Sequence, residues 1–165
     1  MSERRLQGPG FPDDDGRADH ELRAALAAYD GGGAEQEADV LGRLAVARLL
    51  VPVVAVLGDV EVGEDGLARD KTSDMAAVLL EGADGRLAML AFTGSDAMAA
   101  WDPAARPVPV SAETAAQAAL QERAAALVVD IAGPATYALE GDDLVGVASG
   151  WTLTRLGGRT AWLVD

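Results

Sequence analysis

Residues 73–94, SDMAAVLLEGADGRLAMLAFTG, decide how this chain folds. Two apolar runs, SDMAAVLL and RLAMLAFT, flank Glu81-Gly82-Ala83-Asp84-Gly85. Asp-Gly supplies the positive-φ residue of a tight turn, so the pair predicts a β-hairpin in which Glu81 can face Arg86 across the ladder. Neither run alternates apolar with polar residues. That predicts strands inside a sheet, covered on both faces, so helices must lie above and below.

Upstream, RLLVPVVAVL at 48–57 is β-branched and too evenly apolar for a surface helix, and predicts a buried strand. Pro52 within it implies a bulge or one unpaired edge. Before it, DHELRAALAAY at 19–29 spaces Leu22, Ala25, Leu26 and Tyr29 as one helical face behind Asp19, an N-cap residue. A second helix starts near Glu35, with Ala38, Leu41, Leu44 and Ala45 inward. Residues 1–18, rich in Pro and Gly, read as an irregular arm, and 58–72 as a polar, Gly-rich loop.

Downstream, Ser95 caps a short helix in which Ala97, Met98 and Trp101 share a face, and Asp102-Pro103 ends it. In Arg106-Pro107-Val108-Pro109-Val110 the two prolines put both missing N–H groups on one flank, which predicts an edge strand. Ser111 opens a helix with Ala116, Ala119, Leu120 and Ala124 inward. LVVDI at 127–131 is a buried strand, TYAL is extended, and Asp142 caps a short helix stopped by Gly150. Gly157-Gly158 turns a last hairpin. The expectation is an α+β single domain, with a mixed β-sheet of about six to eight strands, a central hairpin, and several helices packed on it. Along the chain this divides into the arm at 1–18, the main body at 19–150, and a C-terminal hairpin at 151–165 packed on the same domain.

Composition limits the function. The 165 residues carry a formal charge of −14, which argues against a nucleic-acid backbone or an anionic membrane as partner. No cysteine is present, so thiolate catalysis, disulfides and cysteine-ligated metals are excluded. With one histidine, His20, a His-cluster metal site within one chain is excluded too. The opening MSERRLQGPG has charges but no apolar segment behind them, and the longest apolar run holds a proline and is half a membrane span. A cytoplasmic protein is expected.

Motifs for bond-making chemistry are absent. Lys71-Thr72 invites a phosphate loop, but the two glycine positions are Asp70 and Asp65, which would repel phosphate. The acids at 59–74 miss the EF-hand spacing: counted from Asp59, position five is Gly63 and position six is Glu64. No metal or other cofactor is expected. Asp130 draws interest because it sits inside the apolar run LVVDI, where an unpaired carboxylate is costly. Either it points out at the carboxyl end of its strand, where α/β folds place ligands, or a buried partner such as Arg106 neutralises it.

Taken in order, PGFPDDDG, LRAALAA, ARLLVPVVAV, DKTSDMAAVLLEGADGRLAMLAFTG, AMAAW, ARPVPV, ALVVDIAGP and a final short helix ending in glycine resemble the SseB family. This is the enhanced-serine-sensitivity family, not the secretion-system translocator of the same name. The resemblance spans nearly all of 8–150. It implies a bacterial cytosolic α/β domain of uncharacterised activity, with no catalytic residues to carry over.

The leading expectation is a non-catalytic protein-interaction or regulatory module whose candidate surface includes Trp101 and Arg106, since Trp and Arg are favoured interface anchors. The competing reading of Trp101 is structural, a ring that plugs the sheet under its short helix. A homo-oligomer is compatible with it. One alternative is a sensor for an amino-acid-related small molecule, using Lys71, Asp74 and Asp130 at one mouth of the sheet. Another is an enzyme with paired carboxylates in a cleft.

Overall fold

The computed structural model describes residues 11–30, 32–57, 61–62, 68–69 and 73–164, and within 54–76 the backbone alone. Helices α1 (His20–Tyr29) and α2 (Ala34–Ala45) come first, then strand β1 (Arg48–Leu57). The two-residue strands β2 (Glu61–Val62) and β3 (Ala68–Arg69) pair with each other, ahead of β4 (Ser73–Ala77), β5 (Leu79–Glu81) and β6 (Leu87–Ala91). Next come α3 (Ser95–Trp101), β7 (Arg106–Ser111), α4 (Ala112–Gln121), β8 (Ala126–Val129), β9 (Tyr137–Glu140) and α5 (Gly141–Ala148). A hairpin of β10 (Thr152–Leu156) and β11 (Arg159–Leu163) ends the fold. No helix among the described residues is long and apolar enough to cross a membrane.

The strands form one sheet in the order β4-β1-β7 and another in the order β5-β6-β8-β9. Leu50 and Phe92 join the two, each donating its N–H to the other's carbonyl at 2.8 Å. The long apolar run of the central hairpin is therefore split. Its first part pairs with β1, its second with β6, and Val78 is the change-over. The turn forms as expected, but Glu81 stands opposite Leu87, and Arg86 instead turns back to Asp84, its Nε 2.7 Å from Oδ2. Only β6 of this pair is interior; β5 is an edge strand, with Leu80 at 37 % exposure. β6 and β8 run parallel, Ala88 opposite Ala126 through Ala91 opposite Val129.

Proline placement explains the other edge. Leu50 directs its backbone toward Phe92, so by alternation Leu49, Val51 and Val53 face β7. Their opposites Val110 and Val108 supply N–H groups, while Pro109 and Pro107 turn their missing donors to the free edge. Pro52 faces the same flank as Leu50, just before pairing with β4 starts at Val53. Its absent N–H falls in the gap between two partners.

One face of the sheet carries the main core. Leu127, Val129, Leu139, Met89 and Ala91 meet Leu22, Leu26, Leu41, Leu44, Ala115 and Ala119 of the helices, all buried. This face holds the larger hydrophobic cluster, and so the greater part of the apolar burial. α4 turns Ala112, Ala115, Ala116 and Ala119 inward, whereas Leu120, expected inside, is 39 % exposed. The opposite face is thinner. There α3 roofs a small second core of Leu50, Leu90, Phe92, Ala97 and Met98.

Candidate functional site

The polar cluster of the molecule gathers at the carboxyl ends of the parallel strands β6 and β8, where such sheets hold ligands. Asp130 follows β8 directly. Its N–H continues the ladder to the carbonyl of Ala91 at 3.0 Å, and then the chain turns through φ 56. Aspartate tolerates that left-handed conformation better than most residues. Its side chain swings toward the end of β6. There Thr93 donates its amide to Oδ1 at 2.8 Å and its hydroxyl to Oδ2 at 2.7 Å. The Asp130 carbonyl accepts from the Gly133 amide at 3.0 Å and the Thr136 hydroxyl at 2.8 Å. Every polar atom of Asp130 thus has a partner, as its 1 % exposure demands. Burial pushes its carboxyl above the ordinary carboxylate range, while Thr93 and the charge of Arg23 hold it down.

Around this pair stands a ring of charges. Arg23, from α1, donates Nη2 to the Thr93 hydroxyl at 2.9 Å and grips Asp96 of α3 with both terminal nitrogens. Hydrogen bonding to Asp96 raises the Arg23 pKa, and the same bond lowers that of Asp96. Arg23 Nε is buried without a hydrogen-bond partner, one cost of holding the guanidinium there. Arg48, from the start of β1, donates to the Thr93 carbonyl at 2.8 Å and to the Arg17 carbonyl, and pairs with Asp14. Residues 11–18 therefore have no helix or strand yet are strapped across the strand ends. The Ser95 amide donates to the Gly16 carbonyl at 2.7 Å, and its hydroxyl does so at 3.1 Å. Ser95 is the first residue of α3, not its cap; Gly94 occupies that position with no side chain to offer. A Cβ on Gly94 would lie 2.8 Å from the backbone nitrogen of Ala18, so the strap needs glycine beneath it.

The sequence candidates separate in space. Asp130 is enclosed by Thr93, and the guanidinium acting on it is Arg23. Arg106, the partner expected for it, instead begins β7 opposite Val53 and is exposed. Trp101 is half-buried, its ring 5.7 Å from that of Phe92 and tilted by 32°, as part of the second core. Lys71 lies outside the described residues, and for Asp74 only the backbone is described, opposite Val56. Among the described residues no three acidic or histidine side chains are grouped to hold a metal ion. Thr93, Arg23 and Arg48 were not legible as site residues. The signal was the need of a buried Asp130 for donors, but which donors depends on strand register.

A second polar feature lies where β9 leads into α5, at the opposite end of the sheet. α5 begins after Glu140, with Asp142 and Asp143 in its first turn and no side-chain cap; Asp142, expected as the cap, lies inside the helix. Beside it, the C-terminal hairpin lays Trp162 on Gly146, where a Cβ would sit 2.3 Å from the indole. The Trp162 Nε1–H donates to Asp143 Oδ1 at 3.0 Å.

With this geometry in place, the comparisons add one finding. The SseB protein N-terminal domain model matches residues 22–145, so the chain belongs to the SseB family. No match was found among the curated proteins or the solved structures.

Proposed function

We propose that this domain acts by binding a protein partner and makes or breaks no bonds of its own. The state of Asp130 supports this most. A catalytic carboxyl needs a lone pair or a proton open to substrate, and here Thr93 holds both oxygens beneath the surface. The cluster behaves as a clamp tying α1, α3, β6, β8 and the 11–18 strap together.

The surface offers a place to dock. Beyond the short roof of α3, Leu80 and Ile131 are each 37 % exposed. With Ala88 and Ala126 beneath, they line a shallow cleft of about 330 Å³. Glu81 and Glu140 stand at its rim together with the Asp84–Arg86 ion pair, which leaves the rim net acidic. An apolar side chain among lysines and arginines complements it. The formal charge of −14 disfavours nucleic acid, an anionic bilayer and a second copy of the chain at this place.

Affinity capture on the immobilised protein, with Leu80→Asp and Ile131→Asp alongside, tests the reading. A basic protein should be retained by the parent and lost by both variants at a temperature where circular dichroism shows each still folded, since both side chains are only partly exposed and the substitutions cost some stability. Capture that ignores both substitutions overturns the reading. So does substrate turnover that Asp130→Asn abolishes.

A further inference from the structure

The cleft between α5 and the C-terminal hairpin is the larger of the two, about 600 Å³, and its chemistry is different. Trp151 and Trp162 line it, with Val145 and Thr160, and Asp142 and Asp143 stand at its side. The α5 acids belong to the family-matched span of 22–145, whereas both tryptophans come from residues beyond it. The hairpin is held against α5 by three contacts. Trp162 rests on Gly146, its indole N–H bonds to Asp143, and the Trp151 amide donates to the Gly146 carbonyl at 3.1 Å.

Resting on the reading of the domain as a protein-binding module, we propose that this cleft receives an arginine side chain from a basic segment of the partner. The electrostatics favour a cation. The positive end of α5 amounts to about half an elementary charge, and Asp142 and Asp143 outweigh it there. Indole faces attract a cation placed over them, and a planar guanidinium both stacks on an indole and forks toward a carboxylate. A compact metal ion fits poorly, because calcium takes about six to eight oxygen ligands and Trp162 already occupies one oxygen of Asp143. An anion would meet two carboxylates.

The test uses the full chain and three peptides of one sequence, carrying arginine, lysine or citrulline, the neutral isostere of arginine. Heteronuclear NMR follows the indole N–H signals of Trp151 and Trp162, with Trp101 as an internal reference. The arginine peptide should shift the first two signals saturably and leave Trp101 in place. The lysine peptide should bind more weakly and the citrulline peptide not at all. Asp142→Asn and Trp151→Leu should each weaken the arginine peptide roughly tenfold. Glu35→Gln, an equal charge change on α2 outside the cleft lining, should alter it less than about twofold. Equal weakening by Glu35→Gln means diffuse attraction to an acidic protein and overturns the proposal. Citrulline binding as well as arginine overturns it too, as do shifts that spare both cleft indoles. The NMR signals locate the peptide even if a variant unfolds. Failure here, with capture still sensitive to Leu80→Asp, removes the arginine cleft alone. Arginine binding with capture indifferent to Leu80→Asp removes the sheet-face reading instead.

Discussion

Asp130 and Asp142 follow consecutive strands, β8 and β9, and they do opposite work. Asp130 follows β8, drops to 1 % exposure and has every polar atom occupied. Asp142 sits in the first turn of α5, is exposed, and looks onto a cleft with two indoles. The difference shows how one residue type becomes scaffold or surface. A carboxylate with two donors already in place ties strands together, whereas one left in water keeps its charge for something arriving from outside. The strand ends, where α/β sheets usually hold ligands, are here closed by Thr93, Arg23 and the 11–18 strap. The open chemistry has moved to the opposite corner.

The sharpest way to break this contrast is Thr93→Val. It removes the hydroxyl between Asp130 and Arg23 while keeping the shape, and should cost about 3 kcal/mol by leaving a buried carboxylate short of a donor. Urea unfolding with an unchanged slope measures it, and a loss below about 1 kcal/mol would mean that Asp130 is less enclosed than its burial indicates. Trp101→Ala comes next. Stripping a half-buried ring from the second core should cost about 2 kcal/mol, while Arg106→Ala should stay within about 0.5 kcal/mol. The reverse order would return that corner to the surface.

Acid titration is subtler. Burial raises the Asp130 carboxyl in the folded protein, so the native state holds its proton more tightly than the unfolded chain does. Its contribution to stability is then complete below the ordinary carboxyl range and declines as pH rises through the raised value. The melting-temperature advantage of the parent over Asp130→Asn should therefore be greatest in acid and shrink on the way to neutrality. Asp96 runs the other way. Arg23 lowers its pKa, so its support is present above the ordinary range and lost as pH falls through the lowered value. Its side chain is 67 % exposed, so water screens much of that effect. An advantage that grows toward neutral pH would contradict the enclosure of Asp130. The smallest effect belongs to Asp142→Asn, at most about 0.5 kcal/mol for one exposed charge at a helix start. Thermal unfolding that moved further would show Asp142 to be structural as well.

Much of the architecture was readable in advance, for local reasons. Asp19 does cap α1, accepting from the Leu22 amide. Ser111 caps α4 through Thr114. The Pro107–Pro109 spacing placed β7 at an edge because a missing N–H is a property of the residue itself. What was not readable depends on register. Glu81 pairs with Leu87 because the turn sets Gly82 opposite Arg86, its amide donating to the Arg86 carbonyl. β5 lies at an edge because the strand changes partner at Val78. Leu120 turns outward because α4 presents its alanines, which allow close approach to the sheet.

The order of helices and strands, the turns, the caps, the acidic balance and the poverty of reactive groups all follow from residue identity and short-range spacing. Tertiary structure alone decided what each carboxylate would do. Asp130 became a clamp because parallel pairing of β6 with β8 brought Thr93 beside it, across 37 residues of chain. Asp142 and Asp143 came to border an aromatic cleft because the last hairpin folded back onto Gly146. Hydrogen-bond partners at that separation are fixed by packing, and no local pattern encodes them.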